Sequence, residues 1–539
     1  MRNVVFIGFM GTGKSAVGQI VARRLGWTFI DTDKRVEAKE RATIPQIFAR
    51  RGEEHFRQLE SRVIAEAAGR RDVVIATGGG AVLRPENVRA LREHGWIVSL
   101  TAPADVLLNR LSDGERRPLL RGDVRGNIVR LLDQRRPLYR DADLMIDVSV
   151  APPERVADAV IDFLGRRGRQ MIPVRLGGRN YPIHVGEGIL PLLGPDLRAM
   201  QAGRRAAVLT HRAILRTAGG LLPVLKTHGF EAIVLEVPSG EGSKSLPVAG
   251  AVLSRLARAH LDRHSTLIAL GGGVIGDLGG FVAASYMRGI RLIQVPTTLL
   301  AMVDSSIGGK TGVNHAGVKN LVGAFYQPSA VVADVRMLRT LPDRELRSGL
   351  AEAIKTGVIG DRDLFEYIED NLAALLRRDP GVLIEVIARC AAFKARVVEA
   401  DEAERAERQI LNYGHTIGHA VEAAAGFRRL THGEAVAIGM AVEAHLAHRL
   451  GLTDGATVER QNVLLARAGL PVKLGNVSRA ALWRALALDK KARDGSVRWP
   501  LLVGIGSVRR EQEVPDGLLA EVLGGQGARR LRAQPQPAR

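Results

Sequence analysis

His415, His419 and His432 share one stretch, L-N-Y-G-H-T-I-G-H-A-V-E followed closely by T-H-G-E-A-V. His415 and His419 stand at i and i+4, so a helix would carry both imidazoles on one face, about one turn apart. Neutral imidazole with nearby carboxylates is a donor set for zinc and similar ions. Two satisfied structural histidines would give the same spacing. The glutamate of H-E-x-x-H is missing, so this is not the motif of a zinc protease. A second chemical stretch, G-F-M-G-T-G-K-S from Gly8 to Ser15, is a G-x-x-x-x-G-K-S phosphate loop. Across Gly11, Thr12 and Gly13 the backbone N–H groups can wrap phosphates. Lys14 would reach the outer phosphates and Ser15 would hold Mg²⁺. The helix that follows adds the positive end of its dipole.

More groups of this kind follow in the first half. Asp31-Thr32-Asp33 ends an apolar run at Trp27 to Ile30. Carboxylates at the carboxyl end of a parallel strand face the ligand crevice, although either aspartate would also serve as a helix N-cap. Phe56-Arg57-x-x-Glu60 has helical spacing. Gly78-Gly79-Gly80 ends the run Val73 to Thr77 and permits a close backbone approach to a small ligand, or simply a tight turn. Arg110 to Arg121 contains Arg116-Arg117-Pro118-Leu119-Leu120, and arginines on a mobile segment can close over a transferring phosphate. Arg135-Arg136-Pro137-Leu138-Tyr139 completes the set. Paired guanidinium forks suit a carboxylated acceptor.

In the second half, Gly271-Gly272-Gly273-Val274-Ile275-Gly276-Asp277 follows the run Thr266 to Leu270. A glycine turn between a strand and a helix suits a pyrophosphate, although it is not a clean G-x-G-x-x-G. The segment from Pro296 to Asn320 is glycine-rich and holds Thr297, Thr298, Asp304, Ser305, Lys310, Lys319 and Asn320, which suggests phosphate and hydroxyl binding. Glu352 and Lys355, in G-L-A-E-A-I-K-T-G, share one helix face by their spacing. The histidine cluster otherwise lacks a carboxylate.

The elements that must position these groups alternate. Strand patterns at Asn3 to Gly8, Trp27 to Ile30, Val73 to Thr77 and Ile97 to Leu100 alternate with helices. A closing amphipathic helix at Pro153 to Leu164 precedes G-R-R-G-R-Q, which breaks all periodicity. A second series runs through Ala206 to Thr210, Ile233 to Val237, Thr266 to Leu270 and Leu292 to Val295. Strand–helix alternation indicates parallel α/β sheets. After about Leu341 long helical patterns take over. The expected domains are 1–165, a linker at 166–171, an α/β part at 172–341, a mostly helical part at 342–523 and a disordered basic tail at 524–539.

The chain's 539 residues exceed what one core supports. Its single cysteine, Cys390, excludes a disulfide framework and fits a reducing compartment. The N-terminal apolar run leads straight into the phosphate loop and is expected to be a strand, not a signal peptide. No apolar run reaches membrane-span length. The net charge of +20 raises nucleic-acid binding, but aromatics make up 4% and do not interleave with the basic runs, so no nucleic-acid partner is expected.

With D-T-D, F-R-x-x-E, G-G-G, R-P-L-L and R-x-x-Y in this order, the first 165 residues resemble shikimate kinase. The resemblance implies ATP and Mg²⁺ at Gly11, Thr12, Gly13, Lys14, Ser15 and Asp31, with Arg117 as a lid arginine on the phosphates. It implies shikimate at Asp33, Arg57, Gly79, Gly80 and Arg136, with Asp33 orienting the attacking hydroxyl.

From about 172 to 520 the chain resembles 3-dehydroquinate synthase, through P-S-G-E-G-S-K-S, G-G-G-V-I-G-D, P-T-T-L-L-A-M-V-D-S-S-I-G-G-K, A-E-A-I-K, N-Y-G-H-T-I-G-H and H-G-E-A-V-A-I-G-M. This implies a Rossmann-like NAD-binding domain followed by a helical metal-binding domain. Glu352, His415 and His432 become the ligands of Zn²⁺ or Co²⁺, and His419, which spacing alone pairs with His415, becomes a catalytic group with Lys310 and Lys355. Implied NAD contacts are Glu241, Lys244, Gly272, Gly273, Val274, Asp277, Thr297, Thr298, Asp304, Ser305, Lys310, Lys319, Thr340 and Glu345. Implied contacts to the heptulosonate phosphate are Arg288, Asp304, Lys310, Lys319, Asn320, Lys355, Lys394, Arg408, Asn412 and Lys490, with Lys491 adjacent. The implied reaction passes a hydride to NAD⁺ and back, eliminates phosphate and closes a carbocycle. A related sugar-phosphate cyclase and a glycerol-dehydrogenase-like metal alcohol dehydrogenase are the alternatives. The family also implies a homodimer through the second half and small-molecule substrates, and the single cysteine, with no signal or membrane segment, leads to the expectation of a cytoplasmic location.

Overall fold

The computed structural model describes residues 3–111, 123–167, 169–218, 220–404, 407–426, 429–492 and 498–524. It divides into two compact units: Met1–Arg169 with Ile189–Met200 and Gly220–Gly229, and the remainder.

In the first unit β1 (Asn3–Gly8), β2 (Thr28–Asp31), β3 (Val73–Ala76), β4 (Gly95–Thr101) and β5 (Leu144–Asp147) form one sheet in the order β2-β3-β1-β4-β5. Every neighbouring pair is parallel. β1 and β3 are buried along their whole length, which is why they read as continuous apolar runs without alternation. The helices are α1 (Lys14–Leu25), α2 (Thr32–Glu40), α3 (Ile44–Ala68), α4 (Pro85–His94), α5 (Ala104–Arg110), α6 (Val124–Arg140) and α7 (Pro153–Arg167). The carboxyl ends of β1, β2 and β3 therefore deliver the phosphate loop, D-T-D and the three glycines to one crevice.

The second unit holds β6 (Arg169–Val174), β7 (Tyr181–Gly186), β8 (Arg205–Thr210), β9 (Glu231–Glu236), β10 (Thr266–Gly271), β11 (Arg291–Pro296), β12 (Lys310–His315), β13 (Val318–Phe325) and β14 (Ala330–Asp334). Its main sheet runs β6-β7-β14-β11-β10-β8-β9, and the ladders from β7 to β9 are parallel. In sequence these strands are joined by α9 (Arg212–Ala218), α11 (Leu246–Arg258) and α12 (Gly273–Ser285), whereas α8 (Leu193–Ala199) and α10 (Leu221–Thr227), which also fall between them in the chain, belong to the first unit. α12 lies close on β10 because Gly279 faces Ala269; a Cβ there would stand 2.8 Å from the Ala269 Cβ.

The helical part comprises α13 (Asp343–Gly360), α14 (Arg362–Leu376), α15 (Pro380–Ala400), α16 (His415–Ala424), α17 (His432–Arg449), α18 (Gly455–Arg467), α19 (Arg479–Ala492) and α20 (Asp516–Leu523). α13 and α17 are buried on nearly every side, as central helices must be. α16 and α17 approach through glycines. A Cβ at Gly414 would lie 2.6 Å from Met440 Cγ, and one at Gly439 would overlap the Gly414 carbonyl.

Two hairpins lie where none was expected. The glycine-rich segment around Lys310 and Lys319 is an antiparallel pair, β12–β13, in which Val313 faces Val322. Ala316 and Gly317 turn it with φ of 49° and 77°, the left-handed backbone that two-residue hairpin turns require. β15 (Trp499–Gly504) and β16 (Ser507–Gln512) form another within the helical part. Where a linker was expected at 166–171, α7 runs to Arg167 and β6 starts at Arg169. The tail beyond Gly524 lies outside the described residues.

Gly439→Ala forces α16 from α17 and is expected to destabilise the second unit by about 1–3 kcal/mol, read as a lower thermal midpoint. Gly250→Ala is the control. Gly250 is exposed within α11 with nothing near its Cβ position, so that change stabilises by about 0.4–1 kcal/mol.

Candidate functional site

The first site is a cavity of about 280 Å³ in the first unit, lined by Asp33, Arg57, Glu60, Gly78, Gly79, Gly80 and Arg135 among others. The three residues of D-T-D take three separate tasks. Asp31 caps α2 by accepting from Lys34 N, and its other oxygen accepts from Ser15 Oγ at 2.6 Å. Thr32 Oγ1 accepts from Gly78 N at 3.1 Å and so ties β2 to the glycine turn. Asp33 faces the cavity, where burial and the neighbouring Glu60 push its carboxyl up to about 6. In the phosphate loop Gly8, Gly11 and Gly13 hold φ of 137°, 84° and 85°, and Lys14 Nζ donates to the Gly8 and Phe9 carbonyls at 2.8 and 2.9 Å.

Arg57, on α3, donates to Glu60 Oε2 at 2.7 Å and to Glu53 Oε1 at 3.0 Å. Gly80 leaves room for its guanidinium, which a Cβ there would strike; a Cβ at Gly78 would lie 2.5 Å from Asp33 Oδ1 and Glu60 Oε1. The Gly79 carbonyl accepts from Arg135 Nη1 at 3.2 Å and Tyr139 Oη at 2.5 Å.

Arg136, expected at the acceptor, is not in the cavity. Its side chain is 56% exposed and lies 3.8 Å from Asp133. Arg135 stands there instead, 3% exposed. Neighbouring residues on a helix diverge by about 100°. The inner face of α6 is Ile128, Leu131, Leu132, Arg135 and Tyr139, a spacing the sequence already displays. Arg117 lies outside the described residues.

The second site centres on Glu352, 1% exposed on α13. His415 Nε2 and His432 Nε2 lie 3.5 and 3.4 Å from its Oε1, and Lys355 pairs with Oε2. Neither carboxylate oxygen has a hydrogen bond of good geometry. His415 Nδ1 lies 3.2 Å from the Tyr413 carbonyl and His432 Nδ1 lies 3.3 Å from Glu422 Oε2. With those nitrogens protonated, both Nε2 lone pairs turn toward Glu352. Bonds of about 2.0–2.2 Å at tetrahedral angles place ligand atoms roughly 3.3 Å apart, so these three residues fit a divalent metal. Burial and Lys355 lower His415 to about 3. Burial would also lower His432, but Glu352 and Glu422 outweigh it and raise the group to about 9. Burial would raise Glu352, but Lys355 and the imidazoles hold it well below its usual value.

Helix starts set these ligands. Thr431 and Glu434 form a reciprocal capping box that makes His432 the first residue of α17. α16 is preceded by Gly414, φ 77°, which offers no side-chain cap; Glu443 of α17, wholly buried, accepts from Gly414 N at 2.7 Å and Ile417 N at 3.4 Å. His419 stands outside the Glu352 group, its ring centroid 5.3 Å from that of His415, and reaches the adjoining cavity.

That cavity, about 1070 Å³, is lined by Glu241, Lys244, Gly272, Gly273, Val274, Asp277, Thr298, Ser305, Lys319, Asn320 and Glu345, with His419, Glu422 and His432 at the metal end. α12 opens at Gly272 without a side-chain cap, so its first N–H groups are available to a pyrophosphate. A Cβ at Gly273 would stand 3.1 Å from Ser305 Oγ. Ser305 Oγ, on a residue that lines the cavity, has no hydrogen-bond partner, which fits a bound nucleotide; Thr297 Oγ1 is also unpartnered, but Thr297 does not line the cavity. Lys244 pairs with Asp277. Asp304 and Ser305 sit on a π-helical turn, Ala301–Ser305, a form that recurs at functional sites. Burial would raise Asp304, but Lys394, 2.6 Å away, and Lys355 bring it down to about 2.

Other expected contacts sit one layer back or elsewhere. Lys355 Nζ donates to the Leu411 carbonyl at 2.9 Å. Arg408, 1% exposed, holds the Gly308 and Glu402 carbonyls. Asn412 is half-buried beside Tyr413. Lys310 is exposed and pairs with Glu404, because β12 turns it away from the cavity. Arg288 is exposed on a turn with φ 64° and does not line the cavity, and neither does exposed Thr340. The side chains of Lys490 and Lys491 lie outside the described residues. Glu443 lies in no stretch singled out in the sequence, and Glu422 closes the L-N-Y-G-H-T-I-G-H-A-V-E stretch without an expected role. The spacing of Glu422 from His415 and His419 on one helix was the available signal.

Arg135→Ala is expected to lower kcat/KM for the carboxylated acceptor by about 100-fold, as loss of a buried charge-assisted contact does. Arg136→Ala should stay within about threefold. Steady-state phosphoryl transfer with both variants checks the assignment.

Residues 10–165 match the shikimate kinase family model, residues 234–348 that of the 3-dehydroquinate synthase N-terminal region and residues 349–492 that of its C-terminal region. A 3-dehydroquinate synthase from Pelotomaculum thermopropionicum is 46% identical over 356 residues, 66% of this chain and 96% of that protein. One from Geobacter metallireducens is 47% identical over 338 residues, 62% of this chain and 94% of that protein. The structure of a 2-deoxy-scyllo-inosose synthase with carbaglucose-6-phosphate, NAD⁺ and Co²⁺ matches at TM-score 0.60 and 29% identity, over 66% of this chain and 99% of that one. A 2-epi-5-epi-valiolone synthase from Streptomyces hygroscopicus with NAD⁺ and Zn²⁺ matches at TM-score 0.58 and 31% identity, over 65% and 97%. No described helix is long and apolar enough to cross a membrane. With its phosphate loop and its His₂Glu cluster, the chain belongs to the shikimate kinase family in its first part and to the 3-dehydroquinate synthase family in its second.

Proposed function

We propose that the first unit phosphorylates shikimate with ATP and Mg²⁺ to shikimate 3-phosphate. The second converts 3-deoxy-D-arabino-heptulosonate 7-phosphate to 3-dehydroquinate and releases phosphate. The observation that carries the second reading is the buried Glu352 carboxylate, without good hydrogen bonds, facing two oriented Nε2 atoms. Relatives at 46% and 47% identity are 3-dehydroquinate synthases, whereas the structural neighbours making other carbocycles are at 29% and 31%.

In the kinase, Lys14 would exchange the Gly8 and Phe9 carbonyls for phosphate oxygens, while Ser15 and Asp31 hold Mg²⁺. Arg57 and Arg135 grip the shikimate carboxylate. Asp33, raised by burial and Glu60, orients the attacking hydroxyl and takes its proton.

In the synthase, Zn²⁺ or Co²⁺ at Glu352, His415 and His432 and NAD⁺ at the start of α12 would supply Lewis acidity and a hydride acceptor. Asp304, held ionised by Lys394 and Lys355, orients substrate hydroxyls. Lys319 and Asn320 offer donors to the anionic oxygens, and His419 moves a proton at the cavity wall. Lys355, against Glu352, keeps that carboxylate ionised. The apolar side chains of Met287, Val318, Leu321 and Phe325 are exposed, which supports a homodimer through the second unit. A cytoplasmic location accords with the single, buried Cys390.

Phosphate release from the heptulosonate phosphate, with NAD⁺ present, tests the synthase. Chelation should abolish release, Zn²⁺ or Co²⁺ should restore it, and no net NADH should form. Net NADH, or no release from metal- and NAD-loaded protein, sinks the reading. Shikimate-dependent ADP formation, lost at least 100-fold in Asp33→Asn, tests the kinase independently.

A further inference from the structure

Glu422 belongs to no motif that names the family, yet it is where two parts of the synthase site meet. It lies on α16, two turns beyond His415 and one beyond His419, and is 7% exposed. Its Oε2 lies 3.3 Å from His432 Nδ1 and its Oε1 lies 3.5 Å from Lys319 Nζ. One oxygen thus serves a helix that begins with a metal ligand. The other serves β13, the hairpin strand that carries Lys319 to the cavity.

A buried carboxylate needs partners for both oxygens, and here each partner is a functional group. A carboxylate on the outer nitrogen of a metal-bound imidazole fixes its tautomer and ring plane and raises its basicity. The same carboxylate anchors the Lys319 ammonium beside the metal end of the cavity. We propose that Glu422 is a positioning residue that orients His432 toward the metal and holds Lys319 in place for the substrate's anionic oxygens, coupling metal affinity to substrate binding. This rests on the reading of Glu352, His415 and His432 as metal ligands. It goes beyond it, because Glu422 would act without touching the metal.

The alternative arrangement is that His419, Glu422 and His432, whose ligand atoms also cluster, hold a cation themselves. The test uses the full chain, stripped of metal and titrated with Co²⁺ alone. Its readouts are the visible absorption band, the stoichiometry and the affinity against a competing chelator. Wild type should bind one equivalent. Glu422→Ala should weaken Co²⁺ by about 10- to 100-fold and alter the band. Glu422→Gln should fall between, and Glu422→Asp should recover part of the loss. Lys319→Gln should leave Co²⁺ affinity within about threefold while raising KM for the phosphorylated substrate, and Glu422→Ala should do both. Unchanged shikimate phosphorylation by the first unit and an unchanged apo-protein melt show that the variants fold. Wild-type affinity and band in Glu422→Ala would overturn the proposal, as would a second Co²⁺ equivalent that this variant loses. Absence of Co²⁺ binding in wild type would instead remove the metal reading itself.

Discussion

Taking a carboxylate out of water costs on the order of several kcal/mol after relaxation, and Glu352 lies at 1% exposure inside a helical bundle. Its ionised form persists because Lys355 and two imidazoles surround it. Much else in the second unit follows from keeping that group charged but coordinatively open. α13 must be buried on nearly all sides to carry it, so its flanking residues are small or apolar. α17 must start against α13, and a Cβ at Gly433 would collide with the Ser348 backbone. α16 must lie against α17, hence Gly414, Gly418 and Gly439 at their contact.

The same electrostatic logic divides two chemically identical side chains. His415 is driven down by burial and Lys355, and His432 is held up by Glu352 and Glu422. Both project Nε2 toward one oxygen because their Nδ1 atoms meet different acceptors, a carbonyl and a carboxylate. The kinase cavity solves a related problem with opposite stoichiometry. Asp33 and Glu60 line one cavity; burial raises both, and Glu60 adds to the rise at Asp33, while Arg57, bonded to Glu60, and Arg135, bonded to the Gly79 carbonyl, stand at the same cavity.

Much of this was legible in the residue order. The phosphate loop, D-T-D and the three glycines fall at strand ends, where parallel sheets place their ligands. The T-H-G-E stretch is a capping box, and it explains why His432 opens a helix. Arg136 was misplaced because the motif R-R-P-L-Y offers two arginines, and only the apolar phase of α6 selects Arg135. The β12–β13 hairpin was hidden by its glycines, which read as a loop until Gly312 and Gly323 pair across it.

Local chemistry fixed which groups exist. Lys14 brings a positive charge into the phosphate loop, and Glu352 and Lys355 share a helix face whatever surrounds them. Long-range packing decided which of those groups meet. Glu352 is separated by some sixty residues from His415 and by eighty from His432, and no periodicity links positions that far apart. Their convergence depends on burial of α13, α16 and α17 against one another. So do the partnership of Glu422 with His432 and Lys319 and the capping of α16 by Glu443, since hydrogen bonds between helices are specified by geometry that one-dimensional spacing does not contain.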